Sequence, residues 1–68
     1  MEKIAISTEY IKLDQFLKWT SITSSGAEAK TLISEGKFKV NGEQVLQRGK
    51  KLRKGDIIEF EEKAFQID

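Results

Sequence analysis

Apolar and polar positions change period several times along the chain, and each change marks an element. Ile4 and Ile6 alternate with Lys3, Ala5 and Ser7, which predicts a short strand. Leu13, Phe16 and Leu17, continued by Thr20, recur at helical spacing, so a first helix is expected from about Ile11 to Thr20. Ser7 or Thr8 is available to cap it, with Glu9 favourable near the positive end of the helix dipole. Trp19 falls beside Phe16 on the helical wheel and is expected to close the edge of the core, with stacking on a nucleic-acid base as the lesser alternative. Ser21 to Ser24 is a short polar link anchored by Ile22.

Ser25-Gly26-Ala27-Glu28 fits a capping box, in which the Ser oxygen accepts a free backbone N–H and the Glu side chain reaches back. Ala29, Leu32 and Ile33 form the buried stripe of the second helix, and Gly36 sits where a left-handed C-terminal residue is needed. The period then becomes two. Phe38 and Val40 point one way and Lys37 and Lys39 the other, and Asn41-Gly42 gives a strong type I′ hairpin signal. Glu43 to Leu46 is the expected partner strand, followed by a basic loop, the turn Lys54-Gly55-Asp56, a strand at Ile57–Phe60 and a last, edge strand at Ala64–Ile67. The class expected is α+β, a helical hairpin packed on a small, mostly antiparallel sheet.

At 68 residues the chain is expected to form a single domain, with 38% hydrophobic residues to build its core. No apolar run approaches the length of a membrane span and the N-terminus carries no secretory pattern, so a cytoplasmic location without a membrane partner is expected. Cysteine and histidine are both absent, which removes disulfides, thiolate zinc sites and the usual nucleophile–base pairs. A Ser–Lys pair could be drawn from Ser24, Ser25 and Lys30, but Ser25 already has a sufficient role as a cap. Glu59, Glu61 and Glu62 look like a solvated strand end, and no glycine pattern for a nucleotide phosphate is present. The expectation is therefore no enzyme, no cofactor, no metal and no small-molecule substrate.

Net charge is only +1, yet its distribution is uneven: Tyr10–Lys54 carries +6, Gly55–Asp68 carries −4 and Met1–Glu9 carries −1. Such separation can steer an anionic partner to one side of a small protein. Arg48-Gly49-Lys50-Lys51-Leu52-Arg53-Lys54 holds five cations in seven residues. The start of the second helix, with Gly26 and Lys30 on one flank, offers free N–H groups to phosphate. Lys12 and Lys18 are expected on opposite flanks of the first helix, so that only one easily joins this surface. A solubilising surface is the competing reading of the same charges.

Leu13-Asp14-Gln15-Phe16-Leu17, Ser25, Ala29, Leu32-Ile33, Gly36, Val40-Asn41-Gly42 and Gly55-Asp56, in this order and spacing, resemble the S-four family, the alpha-L RNA-binding domain. The resemblance covers roughly residues 11–60 within one domain spanning 1–68, and IKLDQFLKW, SGAEAK and the basic loop are similar to the stand-alone YaaA-like branch. It implies an S-four-like α+β fold and an RNA surface formed by the two helices and the adjoining basic loops. By position, that surface would use Lys12, Ser25, Gly26, Lys30, Lys37, Asn41, Arg48, Lys50, Lys51, Arg53 and Lys54. The family commonly has arginine where this chain has Lys12, Gly26 and Lys30, so the bidentate fork is lost there and affinity is expected to shift toward the Arg48–Lys54 loop. The implied function is non-catalytic binding of structured RNA, with ribosomal RNA or ribosome assembly intermediates as candidates and the ribosome or its proteins as partners. The alternative is a protein-interaction adaptor that keeps the fold without binding RNA.

Overall fold

A computed structural model describes all 68 residues, Met1–Asp68. Its elements run β1 (Glu2–Ile4), β2 (Ile11–Lys12), α1 (Leu13–Trp19), α2 (Gly26–Ser34), β3 (Phe38–Val40), β4 (Glu43–Val45), β5 (Lys51–Leu52), β6 (Ile57–Phe60) and β7 (Lys63–Ile67). One sheet of five strands has the order β1-β7-β6-β3-β4, and β2 pairs with β5 in a separate two-stranded ladder. All pairings in the larger sheet are antiparallel except β1 with β7.

The two helices pack together over one face of this sheet. Leu13, Phe16 and Leu17 from α1 and Ala29 and Ile33 from α2 are buried with Phe38, Val40, Ile58, Phe65 and Ile67 from the strands and Leu52 from β5. Phe16 meets Phe65 edge to face at 5.7 Å between centroids, joining helix to sheet. Phe38 and Phe60 are register partners whose rings stack at 4.7 Å. The alternation that marked Phe38 and Val40 as inward and Lys39 as outward therefore holds, with Lys39 opposite Glu59 on the exposed face.

Local stereochemistry follows the residue types at the helix and turn ends. Ser25 is extended at φ −149° and ψ 160°, and its hydroxyl accepts the Glu28 N–H at 3.2 Å. Glu28 reaches back one residue further than a simple box, accepting the Ser24 N–H at 3.1 Å. At the other end Gly36 has φ +75°, its N–H donates to Ile33 and the Lys37 N–H donates to Leu32, the paired closure of a Schellman motif. Asn41 and Gly42 have φ +53° and +84°, as a type I′ hairpin requires.

Four expectations fail, the first three because a long-range pairing overrides a local pattern. The first helix starts at Leu13 rather than Ile11, since Ile11 and Lys12 are extended and pair with Leu52 and Lys51. Neither Ser7 nor Thr8 caps it. Its first N–H groups donate instead to the carbonyls of Lys50, at 2.8 Å from Leu13, and Arg48, at 3.1 Å from Asp14. The last strand is not an edge: β7 is flanked by β6 and β1, so the sheet edges are β1 and β4. Trp19 is 67% exposed and closes no part of the core, although its neighbour Phe16 is fully buried.

Gly36 makes the sharpest stability test. A Cβ at this position would collide with the Gln44 amide, which donates to the Gly36 carbonyl at 3.1 Å. Gly36→Ala should lower the unfolding free energy by about 1–2 kcal/mol from left-handed strain alone. Gly49→Ala, with open space around the added methyl, should change it by less than about 0.5 kcal/mol. Urea unfolding of the two variants checks the contrast.

Candidate nucleic-acid interface

The Arg48–Lys54 segment is fixed by its backbone while its charges remain in water. Lys50 and Arg48 give their carbonyls to the first turn of α1, and the Lys50 N–H closes a turn onto Gln47 at 3.2 Å. Lys51 and Leu52 then form β5, with Leu52 buried and Lys51 exposed in the alternation of a strand. Arg48, Lys50, Lys51, Arg53 and Lys54 are all exposed. The basic loop is thus a shaped one.

The β2–β5 ladder brings Lys12 directly opposite Lys51. Like charges facing each other across a strand pair disfavour the pairing by a fraction of a kcal/mol, an unfavourable contact that a bound anion would relieve. The Lys51 ammonium lies over the Tyr10 ring at 4.9 Å, and the Arg53 guanidinium lies 5.8 Å from the same centroid. Tyr10 therefore gathers two of the loop's cations beside Lys12. Sequence reasoning assigned Tyr10 no role; the signal available was the Tyr10-Ile11-Lys12 alternation just before Leu13, which blends into a helical pattern.

Past this cluster a surface groove of about 810 Å³ runs along α1, lined by Tyr10, Lys12, Gln15, Lys18 and Trp19 among others. Lys12 and Lys18, expected on opposite flanks of one helix, line it together. The wheel did not apply because Lys12 belongs to a strand, with φ −75° and ψ 150°. The Gln15 side chain accepts the Lys12 N–H at 3.3 Å, tying the strand end to the helix.

The remaining sequence-derived candidates lie elsewhere. Ser25, Gly26 and Lys30 are exposed at the start and along the outside of α2, and Lys37 is exposed just beyond its end. Gly26 has no atom near a would-be Cβ, so its small size answers no crowding inside the protein. Asn41 is engaged structurally, its carbonyl oxygen accepting the Ile57 N–H at 3.0 Å and its amide donating to Asp56 at 3.1 Å. The other Asp56 oxygen accepts the Arg53 N–H at 2.9 Å. The hairpin turn is in this way locked to the exit of the basic loop.

No group of three or more metal-ligating side chains is assembled, and no helix is long and apolar enough to cross a membrane. A family model described as S4 domain matches residues 4–68. The chain is also 47% identical over 58 residues to the probable ribosome maturation protein RlbA of Bacillus subtilis (strain 168), an alignment covering 85% of this chain and 82% of that protein.

The lock at Asn41 can be tested without disturbing the turn. Asn41→Gly keeps a residue at ease with positive φ and removes both side-chain hydrogen bonds, so it should lower stability by about 1–2 kcal/mol. Amide exchange at Ile57 should accelerate more than at Ile58, and equal acceleration at both would show that the whole strand, not the lock, was weakened.

Proposed function

The chain belongs to the S4 domain family, and on that premise we propose that it is a non-catalytic RNA-binding module that meets structured ribosomal RNA or a ribosome assembly intermediate. The coarser part of this reading, an RNA-binding and ribosome-associated role, draws support from the family and from the ribosome maturation relative. The finer part rests on one observation above the others: Lys12 and Lys51 face each other in register, with Arg53 alongside and the Lys50 and Arg48 backbone held on α1. Cations set side by side on a fixed backbone suit a run of phosphates, whose contacts supply sequence-independent, salt-sensitive affinity. In structured RNA the backbone path is itself what distinguishes one site from another.

Within this reading Arg48, Lys50, Lys51, Arg53, Lys54 and Lys12 form the principal phosphate surface, and Ser25, Gly26, Lys30 and Lys37 an auxiliary one along α2 and just past its end. The open start of α2 contributes through its backbone N–H groups. Asn41 acts by holding the exit of the basic loop rather than by contact. Such a protein would act by binding, as an assembly or maturation factor does, within the cytoplasm where ribosomes are built.

Lys50→Glu combined with Lys51→Glu leaves the backbone bonds to α1 available and should weaken binding to structured RNA strongly. The plot of log affinity against log salt should become shallower by about 2. Unchanged affinity and slope would remove the loop from the interface, and ribosome association indifferent to salt would favour the protein-adaptor reading. Conversely, the Cβ of Gly26→Arg meets nothing within 4 Å and the side chain supplies a planar fork at the helix start, so this variant should tighten binding by about threefold to tenfold. Fluorescence anisotropy of a labelled ribosomal RNA fragment measures both.

A further inference from the structure

The one tryptophan of the chain is left in solvent by a domain that has little apolar surface to spare. Trp19 closes α1, is 67% exposed, and forms the common wall of two adjoining hollows. One hollow is the groove with Tyr10, Lys12 and Lys18; the other is floored by Ala5, Ile6 and Ile11. The two aromatic side chains of this region differ in their engagement. Tyr10 already has Lys51 and Arg53 over its ring, whereas no aromatic partner or cation lies over Trp19. An indole buries more apolar area than nearly any other side chain when covered, so an uncovered one beside an anion-attracting cluster is an available stacking platform.

The charges around it restrict what can cover it. Lys12 and Lys18 flank the groove and the Lys51–Arg53 pair lies just beyond Tyr10, which disfavours a basic partner and suits a flat group carried on a phosphate backbone. Glu9 also lines the groove and can accept a hydrogen bond from an exocyclic amino group, as on adenine or cytosine. A duplex presents stacked, paired bases and no free face to an indole. An unpaired nucleotide presents both a face and an edge.

We infer that Trp19 stacks on a single unpaired nucleobase, an amino-bearing one, projecting from the structured RNA whose phosphates meet the Arg48–Lys54 loop. The inference rests on the RNA-binding reading and adds to it a recognition element: the module selects a helix interrupted by a bulged or flipped-out base. The basic loop supplies affinity for any RNA backbone, and the indole distinguishes an interrupted helix from a continuous one.

Because Trp19 is the sole tryptophan, its fluorescence reports the contact directly. Two probes suffice, an RNA hairpin with a bulge of unpaired adenines and the same hairpin fully paired, each also followed by anisotropy of a terminal label. The bulged hairpin should quench Trp19 and bind more tightly than the paired one. Trp19→Ala should weaken the bulged hairpin by about tenfold or more and leave the paired hairpin nearly unchanged, and Trp19→Phe should retain most of the preference. Salt-sensitive binding of both hairpins with no quenching, and equal affinity for wild type and Trp19→Ala, would overturn the stacking role while leaving the phosphate surface intact. Failure of wild type to bind either hairpin at low salt would overturn both readings together.

Discussion

Everything that distinguishes this surface depends on the join between the first turn of α1 and the segment Arg48–Leu52. Two backbone N–H groups of the helix donate to two carbonyls of the loop, and the residues on either side form a two-stranded antiparallel ladder. A helix start leaves several N–H donors without intrahelical partners. Here two of them are satisfied by main chain from far along the sequence, and the Gln15 N–H by the Asp14 carboxylate. The same bonds that begin the helix therefore also fix the course of the loop. Buried Leu13 and Leu52 complete the join from below, and the cations stand on its outer side.

Holding the loop and presenting its charge, which a basic loop usually has to combine, are separated by this join. Side chains of Arg48 and Lys50 take no part in holding the loop, because their carbonyl groups do so. Their charges can then be arranged for a partner without loss of structure. The acidic residues are distributed correspondingly. Asp56 sits where the loop ends and is consumed in hydrogen bonds to Asn41 and Arg53, while Glu61 and Glu62 occupy the turn at the far end of β6. The intervening four-residue strand separates the two ends by roughly 13 Å. A molecule of net charge +1 thus keeps Glu61 and Glu62 away from its basic loop, and such uneven charge can orient it as it approaches a polyanion.

The features legible in the sequence are those fixed by neighbours within a few residues. Ser25 as cap, Gly36 as the left-handed stop, Asn41-Gly42 as the hairpin and the alternation of Phe38 and Val40 each depend on local stereochemistry or on a single face. The resemblance added the family, and the match to the S4 domain bears it out. What could not be read was pairing between distant segments. Ile11-Lys12 satisfies a helical period as readily as an extended one, and only Lys51-Leu52 decides between them. The parallel partner of β7 lies at the other end of the chain, so that strand looked like an edge. Trp19 shows the limit of a helical wheel: adjacency to Phe16 gives an angle, yet Phe16 is fully buried while Trp19 is 67% exposed. Lys12 was assigned to the basic surface as part of a helix, and because it lies in a strand its partnership with Lys18 was missed.

The sequence separation across the β2–β5 ladder has a consequence for when this surface comes into being. Ile11 and Leu52 are register partners although the whole of both helices and the first hairpin lie between them. Closing so large a loop costs conformational entropy that local contacts do not offset, so such pairings tend to form late. The helical hairpin and the Asn41-Gly42 turn can organise from local contacts, while the loop and the first turn of α1 become ordered only on each other. A partly folded chain therefore lacks the cationic surface even when its helices are present. Only the completed fold sets Lys12 in register with Lys51.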